Sequence, residues 1–281
     1  MPRIWRVFMP ELPDVEVMRR YLQSTALHQE ITDLEVGAAR LIPDEETNQD
    51  PTVKQLKADI IGRSFESSRR HGKWLFIQMN SEGEKFLVFH FGMTGGLKYF
   101  KDMDDEPEYT QVLFHFNNGY QLAYISQRKL GELEIIDGVE KFVDQKKLGP
   151  DALDLSLEEF KALCQGRHAM VKTTLMDQSK ITGIGNVYSD EILFQAKIYP
   201  RAQCDQLGEN KIEELYRTMK DVLQTVIDCQ ADPEQLPQNF ITPHRYKGGH
   251  CPICGEALKR VQVGSRHAYY CPNRQEKKGK H

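Results

Sequence analysis

The sequence predicts an α+β chain: an N-terminal β-sandwich with a helix packed on it, a helical second segment, and a C-terminal module with the cysteine spacing of a zinc ribbon. Three observations predict it. From Ile31 to Ile136, short runs rich in aromatic and β-branched residues alternate with turn residues. After Gly149-Pro150-Asp151 the apolar residues recur at helical spacing instead. Beyond Pro237 the chain turns basic and brings three cysteines close together in sequence.

In order along the chain, residues 1–8 form an extension that reads as a mis-assigned start ahead of Met9-Pro10-Glu11-Leu12-Pro13-Asp14. Pro13 suits a first helical position, and Val15, Met18 and Leu22 then share one helical face. The same stretch admits a chemical reading. A free α-amino group titrates near pH 8, against about 10.4 for lysine, so an N-terminal proline supplies an uncharged nucleophile at neutral pH. In a chain that keeps residues 1–8, Pro10 is a tertiary amide with no reactive lone pair; chemistry there requires initiation at Met9 or cleavage before Pro10. Taken alone, the run is also an ordinary helix start.

The strand-like runs are Trp74–Met79, Lys85–His90, Gln111–Phe116, Tyr120–Tyr124 and Glu132–Ile136, with Asn117-Asn118-Gly119 as a hairpin signal between two of them. Domain limits are expected at 9–138 for the sandwich, 139–150 for a linker, 151–237 for the helical part and 238–281 for the cysteine module. In the helical part, Ser156-Leu-Glu-Glu159 is a capping box, and Ile212, Leu215, Met219, Val222, Leu223 and Val226 mark one face of a long helix.

Composition narrows the function. No apolar run approaches the roughly 20 residues of a membrane span, and residues 1–8 lack the apolar core of a secretory signal. A cytoplasmic protein is expected, nucleoid-associated in a prokaryote and nuclear in a eukaryote. A formal charge of −4 by itself argues against a polyanion partner, yet Phe240–His281 holds nine Lys or Arg against two Asp or Glu, net +7, leaving −11 for the rest. One end is a basic module. Cys164, Cys204 and Cys229 are scattered and read as small buried hydrophobes.

Four motifs carry chemistry. Arg69-Arg70-His71-Gly72-Lys73-Trp74 is a basic loop feeding a strand, either a solvated turn or a phosphate contact led by Lys73. His90-Phe91-Gly92-Met93-Thr94-Gly95-Gly96 offers an unbranched side chain, Met93, of the kind that packs in a loop or wedges between bases. Thr182-Gly183-Ile184-Gly185-Asn186 runs into a helix, exposing amides at its positive end, and with Lys172 upstream it suits a nucleic-acid phosphate. Cys251-Pro-Ile-Cys254 is followed after sixteen intervening residues by Cys271, but the expected fourth cysteine is Arg274. Three thiolates do not close a tetrahedral site: either His250, His267 or His281 supplies a fourth ligand, or zinc is held weakly or not at all.

Together these residues resemble the formamidopyrimidine-DNA glycosylase family from Met9 to Gln275. Met9-Pro-Glu-Leu-Pro-Asp-Val-Glu16 is similar to its N-terminus, Gly72-Lys73 to its lysine loop, Gly92-Met-Thr-Gly95 to its intercalating loop and Leu148-Gly-Pro150 to its interdomain joint. Leu175–Gln178 through Ile198–Pro200 resembles its helix-two-turn-helix, and Gly264-Ser-Arg266 with Tyr270-Cys-Pro272 its zinc-finger β-hairpin. The resemblance implies a bifunctional DNA glycosylase and AP lyase that excises oxidised purines such as 8-oxoguanine and formamidopyrimidines from damaged duplex DNA. It implies that Pro10 attacks C1′, Glu11 donates or relays a proton, Lys73 assists β-elimination and phosphate binding, and Arg266, the fourth catalytic residue, binds the phosphates flanking the lesion and supports the final elimination. Asn186, His168 and Lys172 align with DNA-contacting positions. Met93, Arg128 and Leu130 align with residues that fill the vacated stack and read the opposite base, and Lys129 lies among them. It also implies one structural zinc held by Cys251, Cys254 and Cys271, and a monomer binding DNA in a cleft between two lobes.

The chain departs from the pattern at several positions. The family's Asp-Pro-Arg-Arg-Phe-Gly is Ser126-Gln127-Arg128-Lys129-Leu130-Gly131, so the aromatic wedge is aliphatic. Tyr109 replaces a histidine, Arg274 the fourth cysteine, and residues 1–8 are extra. The competing reading is a catalytically silent homologue that binds damaged DNA; a zinc-ribbon scaffold for protein contacts leaves Pro10-Glu11 and Gly183–Asn186 unexplained.

Overall fold

The computed structural model describes residues 9–37, 51–80, 83–165 and 168–276, so the extension 1–8 and the candidate ligand His281 lie outside the described residues. The chain forms two compact units: Pro10 and Asp14–Lys147 belong to the first, Glu11–Pro13 and the chain from Leu148 to the second. The division falls inside the first turn of helix α1 (Leu12–Thr25), so successive residues Pro10 and Glu11 belong to different units. Among the described residues no helix is long and apolar enough to cross a membrane.

Among the described residues the first unit has eight strands: β1 (Ile31–Val36), β2 (Phe65–His71), β3 (Trp74–Met79), β4 (Lys85–His90), β5 (Gly95–Phe100), β6 (Thr110–Phe116), β7 (Gln121–Ser126) and β8 (Glu132–Asp137). They make two four-stranded antiparallel sheets, ordered β1-β6-β7-β5 and β2-β3-β4-β8. Each sheet turns an apolar face to a shared core. Leu75, Ile77, Leu87 and Phe89 come from one sheet, Phe114, Leu122 and Tyr124 from the other, and Val15, Met18 and Leu22 from α1. Ring edges lock the layers together, with Phe65–Phe114 centroids 5.7 Å apart and Phe89–Tyr124 5.3 Å. All five expected strands are present, and Asn117-Asn118-Gly119 makes the turn between β6 and β7.

Two helices in this unit were not expected. α2 (Pro51–Ile60) buries Val53, Leu56 and Ile60 at i, i+3 and i+7. α3 (Val139–Gln145) falls in the segment read as a linker; Phe142 is buried with its ring edge-on to Trp74 at 4.9 Å.

In the second unit, α4 (Leu157–Cys164) begins at the expected capping box: Ser156 accepts the Glu159 N–H, and Glu159 accepts the Ser156 N–H at 2.8 Å. α5 (Val171–Met176), α6 (Asn186–Gln195) and α7 (Glu209–Asp228) follow, and α7 buries the six residues its periodicity singled out. Strands β9 (Lys259–Val263) and β10 (Arg266–Tyr270) form an antiparallel hairpin, with Arg266 paired to Val263 beside the Gly264-Ser265 turn.

Candidate functional site

In the first unit, the loops after β4 and β7 approach each other. A side chain at Gly92, whose φ is +60°, would overlap the Leu130 carbonyl, so this crossing of backbones requires glycine. The Arg128 N–H donates to Thr94 Oγ1 at 3.3 Å, and its guanidinium lies 3.2 Å from Met93 Sδ. Met93 and Arg128, separate in sequence, are thus brought together. Leu130 is 50% exposed beside them, and Lys129, with φ +51°, is also exposed. Tyr109 sits at the base of this loop, its carbonyl accepting the Ser126 N–H at 3.1 Å.

The chain leading to Pro10 runs against the same region: the Met9 N–H donates to the Met93 carbonyl at 2.6 Å, and Pro10 is buried. Lys73 is the second residue of the two-residue turn joining β2 to β3, where His71 pairs with Trp74. Its charge reaches His90, whose ring lies 4.5 Å from that of Trp74. Burial drives the His90 pKa down to about 4; the charges of Lys73 and Lys146 push the same way and that of Glu132 opposes them.

In the second unit, Glu11 is buried at the start of α6. Its carboxylate accepts the backbone N–H groups of Gly185 at 2.7 Å, Val187 at 2.8 Å and Tyr188 at 3.2 Å. These are orphan donors of a helix N-terminus, and the motif read as a phosphate cradle is occupied by the protein's own carboxylate. Asn186 begins α6, and its side-chain Oδ1 is buried without a partner.

Lys172, expected to contact DNA, is 0% exposed. Its ammonium donates to Asp190 Oδ1 at 2.6 Å, Ser189 Oγ at 2.7 Å and the Asn186 carbonyl at 3.3 Å. Its partners are internal, which corrects the expectation of a direct phosphate contact. The physical reason is that a buried ammonium needs a carboxylate and further acceptors, and α6 supplies both. His168 is exposed, with Nδ1 2.6 Å from an Asp205 carboxylate oxygen. Arg266 is exposed at the start of β10.

Two positions that bond to Lys172 or to its partner were not singled out in the sequence. Asp190 and Arg245 form an ion pair at 2.7 Å, with Asp190 fully buried. The signal available was Asp190-Glu191 set among Tyr188, Ile192 and Leu193 in an otherwise apolar helix, since adjacent acids there need internal partners. Glu191 finds its own in the N–H and hydroxyl of Thr242, at 2.8 Å and 2.6 Å.

The Sγ atoms of Cys251, Cys254 and Cys271 lie within 4.8 Å of one another and form a candidate zinc site; no histidine belongs to the cluster among the described residues. Arg274 stands over the Phe194 ring at 5.3 Å, and a guanidinium offers no lone pair to a metal. The donor set therefore fits zinc through three thiolates and leaves one coordination position to a ligand from outside the cluster.

Family models match this chain in three consecutive blocks: a formamidopyrimidine-DNA glycosylase N-terminal domain over residues 9–133, the H2TH domain of the same glycosylases over 148–236, and a zinc finger found in these enzymes and in IleRS over 248–273. A formamidopyrimidine-DNA glycosylase from Pelotomaculum thermopropionicum is 35% identical over 96% of this chain and 100% of its own length. One from Oceanobacillus iheyensis is 30% identical over 96% and 99%. The Lactococcus lactis enzyme bound non-covalently to DNA containing an AP site superposes with a TM-score of 0.83, at 28% identity over 95% of this chain and 100% of that one. Its complex with DNA containing FAPY-dG gives 0.82, at 26% identity over the same shares.

Proposed function

The chain belongs to the formamidopyrimidine-DNA glycosylase family, and from that premise we propose that it excises oxidised purines from duplex DNA and then cleaves the strand at the abasic site, using Pro10 as the nucleophile. The observation that carries this reading is the Glu11 carboxylate held by three backbone amides at the start of α6. The start of α6 has no side-chain cap of its own, and the acceptor its orphan amides take is the carboxylate next in sequence to Pro10, which fixes that carboxylate's direction.

The reaction runs through a Schiff base. With Pro10 at the chain terminus, its secondary amine attacks C1′ of the flipped nucleotide; the N–C1′ bond forms as the glycosidic bond breaks, and the base leaves with a proton supplied through Glu11. The amine nitrogen then loses its proton, the C1′–O4′ bond opens as O4′ takes up a proton, and the iminium so formed acidifies C2′, so loss of a proton there expels the 3′ phosphate. Lys73 assists that elimination, and Arg266 binds phosphates flanking the lesion. Met93 and Leu130 occupy the space left in the stack, while Arg128, held by Thr94 and lying beside the Met93 sulfur, reads the base opposite. Lys129, Tyr109, His168 and Asn186 complete the DNA-facing set. Lys172 contributes from below the surface, by holding the Asn186 carbonyl. Zinc, when bound by Cys251, Cys254 and Cys271, cross-links the finger and takes no part in the chemistry.

Borohydride reduction in the presence of lesion-containing duplex tests the proposal. Protein beginning at Pro10 forms a covalent complex. Absence of an adduct, under conditions that trap an active relative, rejects the chemistry. The silent-homologue reading is favoured by one observation, the Met9 N–H bonded to Met93, which places an acylated Pro10 in a settled backbone. It predicts lesion-selective binding and no nicking even by protein starting at Pro10.

A further inference from the structure

We propose that Asp190 is a positioning residue that fixes the finger hairpin carrying Arg266 to the first turn of α6, with Lys172 and Arg245 as its two arms. The inference rests on the reading of Arg266 as a phosphate-binding residue.

Asp190 is fully buried, and four donors converge on its carboxylate. Oδ1 takes the Lys172 ammonium at 2.6 Å. Oδ2 takes Arg245 Nε at 3.0 Å, Arg245 Nη2 at 2.7 Å and the backbone N–H of Tyr269 at 3.0 Å. A carboxylate offers about four lone-pair directions, and the four donors match that number, three of them crowded on Oδ2. Both cations then reach the same second acceptor, the Asn186 carbonyl, at 3.3 Å from Lys172 and 3.2 Å from Arg245. The first turn of α6 is therefore gripped on both sides: Glu11 holds its amides, and the two cations hold its first carbonyl.

The other end of the network is the finger. Tyr269 lies in β10, three residues beyond Arg266, and the Arg245 guanidinium stands 5.7 Å from its ring centroid. Arg266 pairs with Val263 across a two-residue turn, so the backbone of β10 sets where that arginine points. The Asp190 bond to the Tyr269 N–H leaves from the outward edge of a two-stranded ribbon, which among the described residues has no third strand to hold it.

Stability alone does not account for such a cluster. A buried ion pair is often replaceable by apolar side chains of similar volume without loss of stability, whereas four directional bonds fix one register. Asp190 therefore acts on DNA through Arg266, and its removal is felt only when Arg266 is present to be positioned.

A double-mutant cycle decides this, using protein starting at Pro10 and a duplex bearing a tetrahydrofuran abasic-site analogue as the probe, with Kd measured across a potassium chloride series. Arg266→Gln weakens binding and lowers the slope of log Kd against log salt by about one, as expected for the loss of one phosphate contact. Asp190→Asn produces the same loss, about tenfold in Kd with a matching fall in slope, and produces no further loss in the Arg266→Gln background. Equal losses in the two backgrounds, or none in either, overturn the proposal. If Asp190→Asn does not fold, as judged by its melting curve, Arg245→Gln at the rim of the cluster is put through the same cycle: a loss confined to the Arg266 background supports the proposal, and equal losses or none overturn it. If Arg266→Gln changes neither affinity nor slope, the phosphate-binding reading of Arg266 falls and the inference falls with it, a result distinct from additivity.

Discussion

The Gly185 N–H donates to the Glu11 carboxylate at 2.7 Å, and the space a Cβ would need on Gly185 is filled by that same carboxyl group. Gly185→Ala therefore forces Glu11 off at least one of its three amides. We expect a loss of ~1–3 kcal/mol in stability from overpacking and, because the neighbouring Pro10 is displaced with Glu11, a fall of about tenfold or more in the rate of borohydride trapping. Gly208→Ala, where no atom lies within 4 Å, is the control and leaves the trapping rate unchanged, while its place at the N-cap of α7 costs about 1 kcal/mol or less in stability.

What was legible in the sequence followed from local composition and periodicity. Runs of aromatic and β-branched residues along Trp74–Met79 and Gln111–Phe116, bounded by turn residues, gave the strands, and the 3.6-residue stripe from Ile212 to Val226 gave α7. Helix α2 escaped because Val53, Leu56 and Ile60 are only three apolar residues diluted by Lys54, Gln55 and Lys57. The candidate site was legible only as residue types. The Cys251, Cys254 and Cys271 cluster could be read from spacing, because a metal ligand set imposes one. Lys172 was read as an exposed cation because its partner Asp190 is eighteen residues on, and Arg245 bonds that carboxylate from fifty-five further still. No local pattern encodes such a pairing. The meeting of Met93 with Arg128 depends on the antiparallel pairing of β5 with β7, which fixes Gly95 opposite Ser126.

His90 makes stability depend on pH in a window set by its own shift. Its ordinary value is 6.5 and burial lowers it to about 4 in the folded protein. Between those values the unfolded chain binds a proton that the folded chain refuses, so stability falls as pH drops from 6.5 to 4 and is flat for this group outside that range. The full effect is about 3 kcal/mol. Urea melts at a series of pH values check it. His90→Phe, which keeps a ring against Trp74, removes this part of the slope, and an unchanged slope in that variant refutes the assignment.

Metal retention depends on Arg274. With three thiolates as protein ligands, zinc keeps an exchangeable position and is drawn off by a chelator more readily than from a closed four-cysteine site. Arg274→Cys supplies a fourth thiolate and also removes the guanidinium over Phe194. We expect zinc to survive dialysis against a chelator in the variant at a concentration that strips the parent protein. Metal content by atomic emission reads the result, and equal loss from both proteins counts against a three-thiolate site.

Leu130 is the position at which the surface most plainly lacks what stacking on DNA requires. It is 50% exposed in a loop already ordered by the Arg128–Thr94 bond and the close approach to Gly92, so little backbone order has to be gained on binding. An aliphatic side chain fills the vacated stack by contact area alone, whereas an aromatic ring adds base stacking worth roughly 1–3 kcal/mol. Leu130→Phe should tighten binding to abasic-site duplex by about tenfold, at the lower end of that range because Leu130 already contributes its own area. The gain should be smaller on undamaged duplex, where no base has left the stack and a wedge must first open one. Equal tightening on both duplexes would mean that residue 130 meets the DNA outside the lesion, and its assignment as a wedge would have to be withdrawn.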